Sequence, residues 1–237
     1  MSMFTISDID VSSIIEQMLV VGPGSLTISL VTAFFVSMVF ALQVAKEFLY
    51  LNAVSLIGAI LTIAFIRELS PVLTSVIIIG RVGSCFTSEL ATMKVTEQID
   101  ALYLLNTNPF LYLVLPRIIA CVCMLPVLNL LAFATSIASS AFICFILYSV
   151  DPKTFFVSSF AALSISDCIK SLIKTVVFAI FISTISCYWG LSTKGGAKGV
   201  GQSTTSSVVV SLLAIFILDF ILSYIMFHAL GSSIKNI

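Results

Sequence analysis

Arg67, Glu68, Glu89, Asp167, Lys170, Lys174 and Asp219 of this 237-residue chain read as ionisable residues at membrane depth. A charge at membrane depth is costly, so such a group pairs with a counter-charge, faces water or protein, or marks a functional site. Arg67 and Glu68 are adjacent, with Pro71 just beyond, while Lys170 and Lys174 share a helix face with Asp167 at i+3 and i+7. Two readings stand side by side for the Arg67-Glu68 and Asp167-Lys170 sets: ion pairs that fix helix packing, or a cavity-facing polar site. Arg67, Glu68, Lys170, Lys174 and Asp219 are the candidate cavity residues. No catalytic residue is assigned. With one histidine, His228, and six scattered cysteines without a Cys-x-x-Cys pair, no metal site is assigned either.

A second candidate is the run Gly196-Ala197-Lys198-Gly199-Val200-Gly201-Gln202-Ser203, which comes close to a phosphate-binding P-loop. Gln202 stands where that motif needs its lysine, and an apolar stretch precedes it instead of a β-strand, so it is not read as a nucleotide site. The glycines Gly195, Gly196, Gly199 and Gly201 are read as turn formers in a loop over 190–202. The third candidate is residues 80–105, a polar island between apolar runs. There Val95, Ile99 and Leu102 recur at i, i+4 and i+7, one helical stripe, with Lys94, Glu97 and Gln98 off it. Pattern alone leaves two options: a helix resting on the bilayer surface, or a helix inserted into a groove of a soluble partner.

The elements that must carry these residues follow from composition. Apolar residues make up 59% of the chain and charged ones 9%, against roughly 45–50% and 25% in soluble domains. A soluble exterior could not be wetted with that mixture, and the long uncharged stretches match the ~20 residues of a spanning helix. The expected fold is an all-α integral membrane protein in one domain, 1–237. Its five spans are placed at 25–45, 52–80, 112–148, 168–190 and 206–230, with four or six left open. A short amphipathic segment over 8–20, bearing Asp8, Asp10 and Glu16, reads as an interfacial helix closed by Gly22-Pro23-Gly24. It lacks the basic start of a cleaved signal peptide. The 52–80 run is either one long tilted helix or one broken near Pro71, whose freed carbonyls need another partner. Ala134, Ala138 and Ser139, with Ser136 and Ser140, suit close helix packing in lipid. Asp151-Pro152-Lys153 and Asn106-Thr107-Asn108-Pro109 read as turns. Basic residues number four on the island side (Arg81, Lys94, Lys194, Lys198) and three opposite (Lys46, Lys153, Lys235), a slight bias toward a cytoplasmic island. Net charge is zero, without a basic patch for nucleic acid.

Gly80-Arg81-x-Gly83 and the unbroken run from Glu89 to Leu102 closely resemble the MlaE family, permease subunits of lipid-transporting ABC systems in bacteria and plastids. The likeness extends to Arg67-Glu68-Leu69-x-Pro71, Asn108-Pro109, Pro116-Arg117, Lys194-Gly195-Gly196-Ala197-x-Gly199-Val200-Gly201, Thr204-Thr205 and Val208-Val209, covering roughly 25–230. It implies a homodimer with five spans per subunit. It also implies a coupling helix over 88–105 that contacts a separate ATPase subunit, and a partner bearing an MCE domain. Glu89, Met93, Lys94, Glu97, Gln98 and Asp100 become the partner-contacting residues, and the glycine loop lies on the same side. ATP and Mg²⁺ would sit on the ATPase, with no cofactor in this chain. The intramembrane charges acquire a further reading, a cavity in which Lys170 and Lys174 attract a lipid headgroup.

A stand-alone ion-coupled secondary transporter or channel, using Asp167, Asp219 and the lysine pair, is the alternative, although no inverted repeat is evident. A scaffold without transport would leave the intramembrane charges unexplained. A composition heavy in Phe, Ile, Ser and Leu suits an AT-rich genome. The expected location is therefore a plastid inner envelope or a bacterial inner membrane, with plastid favoured.

Overall fold

A computed structural model describes residues 11–105 and 107–229, and every regular element in that range is helical. Asp8, Asp10, Asn106, Leu230 and Lys235, which enter the sequence-based expectations, lie outside the described residues, as does the side chain of His228. Ten α-helices occur in order: α1 (Val11–Val21), α2 (Pro23–Tyr50), α3 (Ile57–Ala64), α4 (Ser70–Ile78), α5 (Ser84–Val95), α6 (Gln98–Leu104), α7 (Leu115–Tyr148), α8 (Pro152–Ala162), α9 (Ile165–Leu191) and α10 (Gly196–Ser223). Wide π-turns at Phe65–Leu69 and Ile79–Gly83 join α3, α4 and α5 into one continuous helical stretch, and another at Phe110–Val114 leads into α7. Among the described residues, five stretches are long and apolar enough to cross a membrane: Val11–Tyr50, Val54–Val95, Phe110–Tyr148, Ile165–Leu191 and Gly196–Met226. Their outward faces carry large apolar side chains such as Phe35, Phe145, Phe216 and Phe220, as a lipid-facing surface requires. The protein is a multi-pass membrane protein.

The chain forms two compact units, and several helices contribute residues to both. In the unit built from 26–74, 126–175 and 217–237, a core of Ile57, Leu61, Phe65, Ala141, Cys144 and Phe155 is closed by α3 against α8. Gly58 permits that approach, because a Cβ there would strike the Phe155 carbonyl and lie 2.5 Å from Ser158 Oγ. Helix α8 grows from the expected turn at Asp151-Pro152-Lys153. Asp151 is its N-cap, accepting from the Lys153 amide at 3.3 Å, and Pro152 opens its first turn. The small residues of α7 pack through Ser136, Ser139 and Ser140, with Ser139 hydrogen-bonded to Ser37. Ala134 and Ala138, expected on that face, are more open, since they lie on the other side of the helix.

Two boundaries differ from the sequence reading for identifiable reasons. The last span begins at Gly196, ten residues before 206, and the loop shrinks to 192–195. Glycine weakens a helix by about 1 kcal/mol each, but unpaired backbone near lipid costs more. Buried Gly199 also packs where a Cβ would strike the Lys194 carbonyl. The turn itself needs Gly195 and Gly196, at φ +89° and +68°. The helix placed at 88–105 is two helices, α5 and α6, parted by Glu97 at φ +61°.

Candidate functional site

Pro71 shapes the first site. Its ring has no N–H and crowds the carbonyl four residues back, that of Arg67, and the backbone there widens into the Phe65–Leu69 π-turn. The Arg67 carbonyl accepts instead from Lys174 Nζ at 3.0 Å, reaching across from α9. The same ammonium donates to Glu68 Oε2 and to Ser223 Oγ, each at 2.8 Å. Asp219 Oδ1 stands 2.6 Å away as an ion pair outside hydrogen-bond alignment. Ser223 in turn donates to Glu68 at 2.9 Å. The Lys174 side chain is 1% exposed, Glu68 is 43% and Asp219 21%, so a sealed cation is ringed by acids with partial access to the surroundings. Beside it Arg67 Nη2 pairs with Asp167 Oδ2 at 2.9 Å, and Asp167 is buried.

Arg67, Glu68, Lys174 and Asp219 are thus brought together as one cluster, joined by Asp167 and Ser223. Lys170 sits one turn before Lys174 on α9 and is half-buried. Two of the cluster's pairs are long-range: Arg67 meets Asp167 from 100 residues away, and Lys174 meets Glu68 from 106. In the same unit Ser70 Oγ donates to Asn129 Oδ1 at 2.7 Å, and Asn129 Nδ2 donates to Ser171 Oγ at 3.0 Å. Asn129 and Ser223 escape sequence reasoning, because a lone amide or hydroxyl in an apolar run carries no distinctive signal. All three Lys174 protons are already directed to protein oxygens, so a headgroup would reach this ammonium only by displacing one of them.

The second unit, from 1–25, 75–125 and 176–216, holds the island and a buried arginine. Arg117, 4% exposed, donates to the Phe86 carbonyl at 3.1 Å and to Glu89 Oε2 at 2.9 Å, with its guanidinium carbon 5.2 Å from the Phe86 ring centre. Arg117, the one charge in the 110–150 run, is not among the candidate site residues read from the sequence. Glu89, assigned to partner contact, has one oxygen committed to this pair and is 44% exposed. Behind it Gly190 lets α9 approach α5: a Cβ there would fall 2.7 Å from Leu90 Cβ and 3.1 Å from the Thr87 carbonyl. Thr87 Oγ1 bridges to Ser207 Oγ at 2.9 Å, tying in α10.

From this anchored base the island turns outward. Ile99 of the expected stripe is buried, and Val95 and Leu102 are half-buried. Lys94 Nζ meets Asp100 Oδ1 at 3.0 Å across the bend at Glu97, an exposed pair that brackets the elbow. Glu97, Gln98 and Asp100 are exposed, as are Tyr103 and Leu104 at the tip, whereas Met93 turns partly inward toward Leu90, Val114 and Cys187. The glycine turn in the same unit borders an open groove lined by Trp189, Lys194, Lys198 and Ser203 among others.

Five apolar spans, an exposed polar elbow on a rigid base and a glycine turn describe a membrane permease. The family model for Permease MlaE matches residues 14–225, and the chain belongs to that family. A probable ABC transporter permease protein of Pyropia yezoensis is 58% identical over 95% of this chain and 86% of its own length. Another, of Synechocystis, is 50% identical over 92% and 83%. The Arabidopsis thaliana protein TRIGALACTOSYLDIACYLGLYCEROL 1, chloroplastic, is 46% identical over 94% of this chain and 63% of its own length. The chain is therefore a permease of the ABC transporter type.

Proposed function

We propose that this chain moves phospholipid or a related lipid between membranes as the spanning half of a larger machine. Two copies form the permease, a separate ATPase supplies energy through the elbow, and an MCE-domain protein hands over or receives lipid. ATP and Mg²⁺ reside on the ATPase, and this chain catalyses no reaction of its own. The observation that carries the reading is the elbow itself: in a chain 9% charged, Glu97, Gln98 and Asp100 are exposed on two short helices whose base is pinned by Arg117. An exposed projection of that size, polar at the bend and apolar at Tyr103 and Leu104, fits a groove on a soluble partner. Movement of the projection would change the affinity of the permease for lipid between two states. The names of the relatives support the ABC assignment, and the chloroplastic Arabidopsis and bacterial Synechocystis relatives fit a plastid or bacterial inner membrane.

The test is co-purification from native membranes followed by reconstitution. An ATPase subunit in the eluate, and lipid movement that requires ATP hydrolysis, are the expected results. Transport by the purified chain alone under an ion gradient would replace this reading with a secondary transporter built on the Lys174 cluster.

A further inference from the structure

Beside the first turn of α10 lies an open groove of about 720 Å³ whose lining includes Trp189, Lys194, Lys198, Gln202, Ser203 and Thr205. We propose that this groove binds a phosphate group, and that its source is the headgroup of an anionic membrane phospholipid. Lys194 and Lys198 are both exposed, and neither forms an ion pair among the described residues. They stand at the N-terminus of a 28-residue helix, whose first-turn N–H groups have no carbonyl behind them and attract an anion. Gly199 keeps Lys194 close, since a side chain there would strike the Lys194 carbonyl. Gly201 leaves the groove open, with nothing within 4 Å of where its Cβ would be.

Ser203, a nearly buried side chain that lines the groove, points independently to a ligand. Thr204 and Thr205 turn their hydroxyls back to the carbonyls of Val200 and Gly201, at 2.8 and 3.0 Å, as helical hydroxyls commonly do. Ser203 is 9% exposed, lines the groove and makes no side-chain hydrogen bond among the described residues. Its hydroxyl is therefore free to donate to a phosphate oxygen in the groove.

The character of α10 beyond its first turn favours a lipid over a free phosphate. Lys198, Gln202, Thr205, Val209, Leu213 and Phe216 fall at i, i+4, i+7, i+11, i+15 and i+18, one face of α10, and all are exposed. That face begins cationic, passes through polar side chains and ends apolar, the order of a headgroup, its glycerol region and an acyl chain. Trp189 at the mouth is the residue type that settles at a membrane boundary. The site stands without the transport reading, because a membrane protein that carried nothing would still hold a lipid there.

The test is native mass spectrometry of the purified full-length chain, titrated with phosphatidylglycerol or phosphatidylcholine, beside calorimetry with inorganic phosphate. The native chain should retain phosphatidylglycerol in preference to phosphatidylcholine. Lys194→Gln with Lys198→Gln should weaken that retention roughly tenfold, as loss of charge-assisted contacts predicts. Arginine at both positions should restore it, and Ser203→Ala should weaken it by a smaller factor. Both lysines are exposed, so the glutamine variant should keep the native melting temperature. Equal retention of the two lipids, or an unchanged preference in the glutamine variant, overturns the proposal. Inorganic phosphate binding that falls in the variant, without any lipid preference, overturns the lipid as the source.

Discussion

The Lys174 cluster and the Arg117 pair both bury a cation in an apolar protein, by opposite means. Lys174 is surrounded by two carboxylates, a hydroxyl and a backbone carbonyl. Arg117 has one half-exposed carboxylate, one carbonyl and the face of a phenyl ring. The difference follows from the side chains. An ammonium is a compact charge that needs several oxygens around it, whereas a guanidinium is flat, weakly hydrated and content to lie on a ring. It also separates two tasks. The lysine draws helices α9 and α10 to the widened turn at Arg67, while the arginine ties α7 to α5 at the base of the elbow.

The largest expected effect comes from removing the sealed ammonium. Lys174→Met leaves Glu68 and Asp219 facing each other without a cation, and loss of one partner of a buried pair costs about 3–5 kcal/mol. Thermal melting in detergent should show a large drop, with much of it recovered when Glu68→Gln and Asp219→Asn are added. If Lys174→Met alone melts like the native chain, the cluster does not hold the helices together. Next in size is Gly190→Ala, which forces apart α5 and α9 where the Cβ would sit 2.7 Å from Leu90. Overpacking of this kind costs about 1–3 kcal/mol, and the same melting assay reads it. Arg117→Met keeps apolar contact with Phe86 but abandons Glu89, whose carboxylate is 44% exposed and can turn to water. A loss of about 1 kcal/mol is expected, together with weakened recovery of the ATPase on affinity purification. A loss as large as that of Lys174→Met would erase the contrast between the two cations. The smallest stability change belongs to Asp100→Lys, which breaks an exposed pair worth less than about 1 kcal/mol. Its expected mark is functional: the melt stays native while ATP-driven lipid movement falls. Unchanged transport and unchanged partner recovery would remove the elbow from its proposed role.

Features that lie close along the chain are the ones legible in the sequence. Spans are visible as uncharged runs, and the stripe through Ile99 is visible because neighbours at i and i+4 share a face. The widened turn near Pro71 is half legible: the proline announces a carbonyl in need of a partner without naming Lys174. The bend at Glu97 is hidden, since a left-handed glutamate has no mark in the sequence comparable to Gly195. The pairing of Arg67 with Asp167 is hidden as well, because contact across 100 residues depends on how helices meet. Arg117 is legible as the one charge in its run, but its partners Phe86 and Glu89 are not. The start of α10 is misjudged because its glycines suggest a loop, while the membrane rewards helix wherever backbone would otherwise go unpaired.

The carbonyl that Pro71 leaves for Lys174 carries a consequence of its own. Carboxylates lose their charge when protonated, and their attraction weakens under screening, but an amide oxygen is indifferent to both. Lys174 therefore keeps one ligand that neither acid nor salt can take away, a tether set by covalent chemistry in the main chain. Neutral substitution of Glu68 and Asp219 should loosen the ring of side chains around the ammonium while leaving α9 still hooked to the turn at Arg67.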